Sequence, residues 1–153
     1  LAKRIEIRLT ETEREIVISE KQRVLVTGAS GQIGYMVLKR LLEQPERYET
    51  FGLDREQAPS DRVPPTWRLE LPEGRFTVCD LSDFEAVRGA VEAMEVVVHL
   101  GADPEGDEWG SVLQNNVIGT YNVFEAARQA GVKRVVAASS IMVSPGHREQ
   151  GLV

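Results

Sequence analysis

Hydrophobic and polar positions change rhythm at Arg23. Before it, Ile5, Ile7 and Leu9 alternate with Arg4, Glu6 and Arg8, the period of two expected of a half-exposed strand. A polar stretch, Thr10 to Arg14, leads to Ile16-Val17-Ile18, so residues 1–22 read equally as a β-hairpin or as a partly ordered extension. After Arg23, short apolar runs alternate with helical patterns. Val24 to Val26 form a continuous apolar strand, as in parallel sheets covered on both faces. A helix is predicted over Gln32 to Glu43, with Ile33, Val37 and Leu41 on one apolar face, and Pro45 stops it. Tyr48 to Asp54 reads as the second strand, and Glu56 to Gly74 as a proline-rich loop with a short hairpin around Trp67 to Leu71. Arg75 to Asp80 is the third strand, and Ser82 or Asp83 caps a helix reaching Met94. Glu95 to Ala102 is the fourth strand, Ser111 to Ala130 a long helix stopped by Gly131, and Arg134 to Ser140 the fifth strand. This grammar predicts an α/β fold, a Rossmann-type doubly wound parallel sheet over residues 23–143, followed by a polar tail at 144–153.

Composition narrows the partners. A chain of 153 residues, 42% hydrophobic and 27% charged, is sized and balanced for one globular core. A net charge of −6 with no basic stripe argues against nucleic acid or an anionic membrane as a partner. The single cysteine, Cys79, allows no internal disulfide and suits a reducing cytoplasm. The apolar runs are too short to cross a bilayer. The chain begins at Leu1, which points to a processed start, and no apolar signal core follows it.

The first strand breaks into "TGASGQIG", with glycines at 28, 31 and 34, before a helix. Gly28 permits a tight turn, Gly31 lets the backbone approach a pyrophosphate, and Gly34 lets the helix pack closely on the sheet. The helix N-terminus then offers N–H groups and a positive dipole end to phosphates. Asp54, twenty residues beyond Gly34, ends the second strand where a carboxylate accepts hydrogen bonds from ribose hydroxyls. A carboxylate there repels a 2′-phosphate and favours NAD over NADP, a preference tempered by the neighbouring Arg55. His99 reads as a packed residue and Cys79 as inert core. Trp109 is expected to anchor the start of the long helix. His147 and Asp107 have no partners at metal-like spacing, so no metal is expected.

With these residues in place, "TGASGQIG", "CDLSD", "HLGAD" and "NNVIGTYNVFEAARQAGVKRVVAASS" occur in an order that resembles extended short-chain dehydrogenases/reductases of the NAD-dependent epimerase/dehydratase type. Within that family the wording is most similar to uronate-dehydrogenase-like members. The resemblance implies cofactor contacts from Gly28, Ser30, Gly31, Gln32, Ile33, Gly34, Asp54, Arg55, Asp80, Leu81, Leu100, Gly101, Ala102 and Asn115. It places Asp103, Ser139 and Ser140 on the substrate side, with Ser140 the catalytic hydroxyl. It implies hydride transfer between NAD and a sugar, sugar acid or nucleotide sugar, and a homodimer formed through helices that include the long one. A dinucleotide-binding sensor without turnover is the alternative. The family's catalytic Tyr-x-x-x-Lys pair follows the fifth strand, and here no tyrosine follows Tyr121. Tyr35 and Lys39 have the spacing but sit on the first helix, at the phosphate end of an extended cofactor, and read as packing and surface charge. The 153 residues are therefore expected to be the cofactor half of a larger enzyme, without the substrate lobe and inactive alone. Ser144-Pro145 departs from the family's usual tyrosine-glycine.

Overall fold

The computed structural model describes residues 21–140. The N-terminal hairpin and the polar tail expected from sequence lie outside these residues. Five strands form one parallel sheet in the order β3-β2-β1-β4-β5, with β1 at Gln22–Thr27, β2 at Tyr48–Asp54, β3 at Phe76–Val78, β4 at Val96–His99 and β5 at Arg134–Ala137. The chain moves outward from β1 through β2 to β3, then returns to β1's other side for β4 and β5. Side chains alternate between two cores, as strand pleating requires. Leu25, Leu53 and Val97 meet α2 (Phe84–Val91) and α4 (Gly119–Ala130) through Val87, Val91, Val123 and Ala126. Val26 and the half-buried Val98 face the other way, toward Leu38 of α1 (Gln32–Leu42). Helices on both faces of a parallel sheet make the fold Rossmann-like.

Four expectations change. Ile33 is 63% exposed, because α1 turns Gly34, Tyr35 and Leu38 toward the sheet. Residues 67–71 form no hairpin: Leu69 and Leu71 pack as irregular chain on the α1-side core, and Trp67 stacks on Tyr35 with ring centroids 6.2 Å apart. Trp109 is 70% exposed at the helix start rather than packed there as an anchor. The long helix begins as α3 (Trp109–Val112), widens into a π-helical turn (Leu113–Ile118) and continues as α4. Gly131, at φ +71°, ends it in the left-handed conformation that favours glycine. α1 lies over β1 and β2, and Val136 on β5 is 49% exposed.

Candidate functional site

Where strand order reverses between β1 and β4, the loops leaving their carboxyl ends diverge and open a crevice, the place where open α/β sheets receive ligands. The cleft has a volume of about 920 Å³ and is lined by the turns after β1, β2 and β4. Its base is backbone packed on backbone. Gly28 has φ +70°, and a Cβ there would lie 2.6 Å from Gly101 N. A Cβ on Gly34 would lie 1.9 Å from Gly28 O, so this glycine packs the helix against its own turn rather than against the sheet. Gly31 differs from both. A Cβ there would find one neighbour, Gly28 O at 3.3 Å, so the space it leaves faces the cleft. Gly31 is also the N-cap of α1, no side chain caps that helix, and its first turn holds no acidic residue. An anion therefore meets a bare N-terminus there.

Asp54 joins the end of β2 to this turn. Its Oδ2 accepts the Ser30 backbone N–H at 2.9 Å and its Oδ1 accepts the Arg55 N–H at 2.7 Å, which fixes the carboxylate while leaving lone pairs toward the cleft. The loop after β2 folds back over the turn. The Ser30 hydroxyl donates to Glu56 O, and the Ser60 N–H donates to Ser30 O. Ser60 Oγ is shielded from solvent and has no hydrogen-bond partner among the described residues. Arg62 on this loop pairs at 3.0 Å with Glu105 on the loop after β4, joining the two rims of the cleft.

The loop after β4 is organised around Asp103. Its carboxylate accepts the N–H groups of Glu105 and Gly106 and the Ser111 hydroxyl, and these bonds hold it below the usual carboxylate range. Asn116 clamps the same residue's backbone, accepting from Asp103 N at 2.6 Å and donating to Asp103 O at 3.1 Å. Asn115 donates to Ser111 and lines the cleft. Both asparagines lie in the π-helical turn, a feature that often marks functional sites. Beneath the loop, Thr27 Oγ1 lies 3.3 Å from both Leu100 N and Gly101 N. It lies 2.8 Å from Nδ1 of the buried His99, whose Nε2 lies 3.0 Å from Thr120 Oγ1.

The family model of NAD dependent epimerases/dehydratases matches residues 24–151. The chain belongs to that family. A curated member, the NAD-dependent glucose-6-phosphate dehydrogenase of Haloferax volcanii, is 36% identical over 120 residues, covering 78% of this chain and 43% of that protein. Uronate dehydrogenase of Agrobacterium fabrum is 37% identical over 119 residues, covering 78% and 41%. Among solved structures, a mutant uronate dehydrogenase of Agrobacterium tumefaciens complexed with NAD superposes with a TM-score of 0.64 at 35% identity, again covering 78% and 41%. The chain thus spans about two fifths of the length of these family members.

Of the residues that sequence assigns to the family's site, Gly28, Ser30, Gly31, Gln32, Ile33, Gly34, Asp54, Arg55, Leu81, Leu100, Gly101, Ala102, Asp103 and Asn115 line the cleft together. Asp80, Ser139 and Ser140 do not. Asp80 instead accepts the Ser82 N–H at 2.8 Å, which lowers its pKa and shapes the start of α2. Ser139 and Ser140 are exposed just beyond β5. Cys79, expected in the core, packs against its edge and is half-buried on the cleft wall, and burial together with Asp83, Asp80 and Asp54 pushes its thiol up. Tyr35 and Lys39 are absent from the lining; Tyr35 is buried under Trp67, and Lys39 Nζ lies 5.9 Å from the Trp67 ring. Sequence reasoning missed Ser60, Arg62, the Thr27–His99–Thr120 chain and Asn122, which donates to Leu81 O and Ser82 O. Position in the fold, rather than any local motif, identifies them. Among the described residues no helix is long and apolar enough to cross a membrane, and no three or more His, Cys, Asp or Glu side chains gather to hold a metal.

Proposed function

We propose that this chain binds NAD as the cofactor part of an oxidoreductase of the sugar epimerase/dehydratase type, with a sugar, sugar acid or nucleotide sugar as substrate. The observation that carries the reading is Asp54, locked by two backbone N–H groups beside a turn whose glycine at 31 leaves room for a phosphate. The residues fit the group: glycines leave the room that a pyrophosphate needs, the bare N-terminus of α1 supplies donors, and Asp54 supplies acceptors for ribose hydroxyls. When bound, NAD supplies a hydride acceptor or donor at its nicotinamide ring. Gln32 and Ile33 hold the phosphates through the start of α1. Leu100 to Ala102 form the floor, and Asn115 orients the nicotinamide side. Ser140 orients the substrate oxygen and stabilises charge developing on it. Asp103 meets substrate through the loop it organises. Leu81, on the cleft wall, flanks the adenine.

Val117, Tyr121 and Phe124, exposed at i, i+4 and i+7, are the proposed homodimer face. The lone Cys79 supports a reducing cytoplasm as the compartment. Calorimetric titration of the wild type and Asp54→Ala with NAD and NADP tests the reading. Wild type should prefer NAD, and Asp54→Ala should lose roughly 10- to 100-fold in NAD affinity, as expected for removing hydrogen bonds to a charged acceptor. Tighter binding of NADP to the wild type overturns the assignment of Asp54. Absence of any NAD-dependent rise in melting temperature overturns the binding reading itself.

A further inference from the structure

The buried chain Thr27–His99–Thr120 has a determined direction. N–H groups only donate, and two of them, Leu100 N and Gly101 N, point at Thr27 Oγ1 from 3.3 Å. A hydroxyl has two acceptor lone pairs and one proton. With both lone pairs engaged, the Thr27 proton is directed to its remaining neighbour, His99 Nδ1 at 2.8 Å. Nδ1 is then an acceptor, so the neutral ring carries its proton on Nε2 and donates it to Thr120 Oγ1 at 3.0 Å.

We infer that His99 is a positioning residue for the dinucleotide cleft: as a neutral, Nε2-protonated imidazole it orients the Thr27 hydroxyl, which in turn holds the Gly101 N–H against the turn at Gly28. The inference rests on the NAD-binding reading above for its functional consequence, but not for its geometry. Gly101 is the sensitive point. Leu100 N has a second acceptor, Thr27 O at 3.2 Å, whereas Gly101 N donates to Thr27 Oγ1 alone among the described residues. Gly101 N is also the atom nearest to where a Gly28 side chain would stand, at 2.6 Å, so a shift of Gly101 is felt in the glycine-rich turn. Protonation of His99 would turn Nδ1 into a donor. Thr27 Oγ1 would then face three donors with two lone pairs, and Gly101 N–H, which lacks the alternative, would be released. Burial alone disfavours the charged ring and no charged group adds to it. The ring is faced by the Thr27 hydroxyl from β1 and the Thr120 hydroxyl from α4, while its own strand pairs with Ala137 of β5.

The test uses the ¹⁵N-labelled 153-residue chain. Long-range ¹H–¹⁵N spectra read the tautomer, amide exchange reads Gly101, and titration with NAD reads the cleft. His99→Asn keeps an acceptor near the place of Nδ1 and lacks the reach to Thr120. Thr27→Val and His99→Leu remove the link to Gly101. The expected result is a proton on Nε2 in the wild type. Gly101 exchange should accelerate roughly tenfold in Thr27→Val and His99→Leu, the size of one ordinary hydrogen bond, and stay within about threefold of wild type in His99→Asn. NAD affinity should fall in the same order. Protection of Gly101, its exchange measured against the unprotected amide at the same pH, should also fall in step with His99 protonation as the ring titrates. A proton on Nδ1, or a His99→Asn chain that loses Gly101 protection as fully as Thr27→Val at equal melting temperature, overturns the inference. If the wild type binds no NAD, the cofactor reading fails, while the tautomer and Gly101 exchange still decide the role of His99.

Discussion

Gly34 and Gly31 of the first turn make separable demands, and alanine at each shows which. At Gly34 the new Cβ would lie 1.9 Å from Gly28 O and 2.7 Å from Gly28 C. An ordinary C···O contact needs about 3.3 Å, so the shortfall is roughly 1.4 Å, and the obstructing atoms are backbone. Helix α1 must move outward by about that distance, opening a gap beneath Leu38 and Tyr35, which are 1% and 4% exposed. Gaps of this kind cost on the order of 2–5 kcal/mol, a large share of a domain's roughly 5–15 kcal/mol. Gly31→Ala places its Cβ 3.3 Å from one carbonyl, a distance a small adjustment relieves, and should cost less than about 1 kcal/mol. Its methyl group instead occupies space that a pyrophosphate needs, so NAD affinity should fall at least about tenfold. Gly89 in α2 has nothing within 4 Å of its added Cβ, and Gly89→Ala should stabilise by roughly 0.5–1 kcal/mol through helix propensity. Urea unfolding and NAD titration of the three variants measure both quantities. A Gly31→Ala chain that binds NAD like the wild type would refute the cradle, and a Gly34→Ala chain as stable as the wild type would refute the packing argument.

The Arg62–Glu105 pair is 51% and 67% exposed, so its removal should change stability by less than about 1 kcal/mol. Because it joins the rims of the cleft, Arg62→Ala should speed NAD dissociation at low salt, with the difference vanishing in high salt; stopped-flow rates independent of both variant and salt would contradict this. Ala93 stands at φ +62°, where a side chain is strained, so Ala93→Gly should raise the melting temperature by a few degrees, up to about 1 kcal/mol. A lower melting temperature would remove strain as the explanation. Burial lowers the pKa of His99, so the unfolded chain binds that proton more readily than the folded one. Stability should therefore fall as pH drops through about 6.5, the unfolded value, and again below about 4 as Asp80 and Asp103, both held low by hydrogen bonds, are protonated. Melting curves of His99→Asn should lack the first decline; an unchanged profile would exclude His99 as its source.

The strands were legible because burial on both faces writes itself as unbroken apolar runs at Val24–Val26 and Val96–Val98. The glycine turn was legible because a close backbone approach tolerates no side chain, and Asp54 because a strand end fixes its distance from that turn. What could not be read depends on contacts distant in sequence or on a change of helical period. His99 and Thr27 are 72 residues apart and carry no joint motif. A π-helical turn at Leu113–Ile118 lengthens the period locally, so projecting an ordinary helix cannot tell that Asn116 clamps Asp103 while Asn115 faces the cleft. Ser60 and Arg62 belong to a proline-rich loop whose path depends on hydrogen bonds to Ser30 rather than on any periodic pattern.

Tyr35 and Lys39 show the same limit from the other side. Their i, i+4 spacing places both on one helix face, which is all that spacing can establish. Which face that is depends on the strand before them and on Trp67, thirty-two positions beyond Tyr35, which stacks on the tyrosine and lies beneath the lysine's ammonium group. An aromatic lid closes the tyrosine from solvent and substrate alike, so the spacing that suggests a proton relay here serves the outer wall of the sheet.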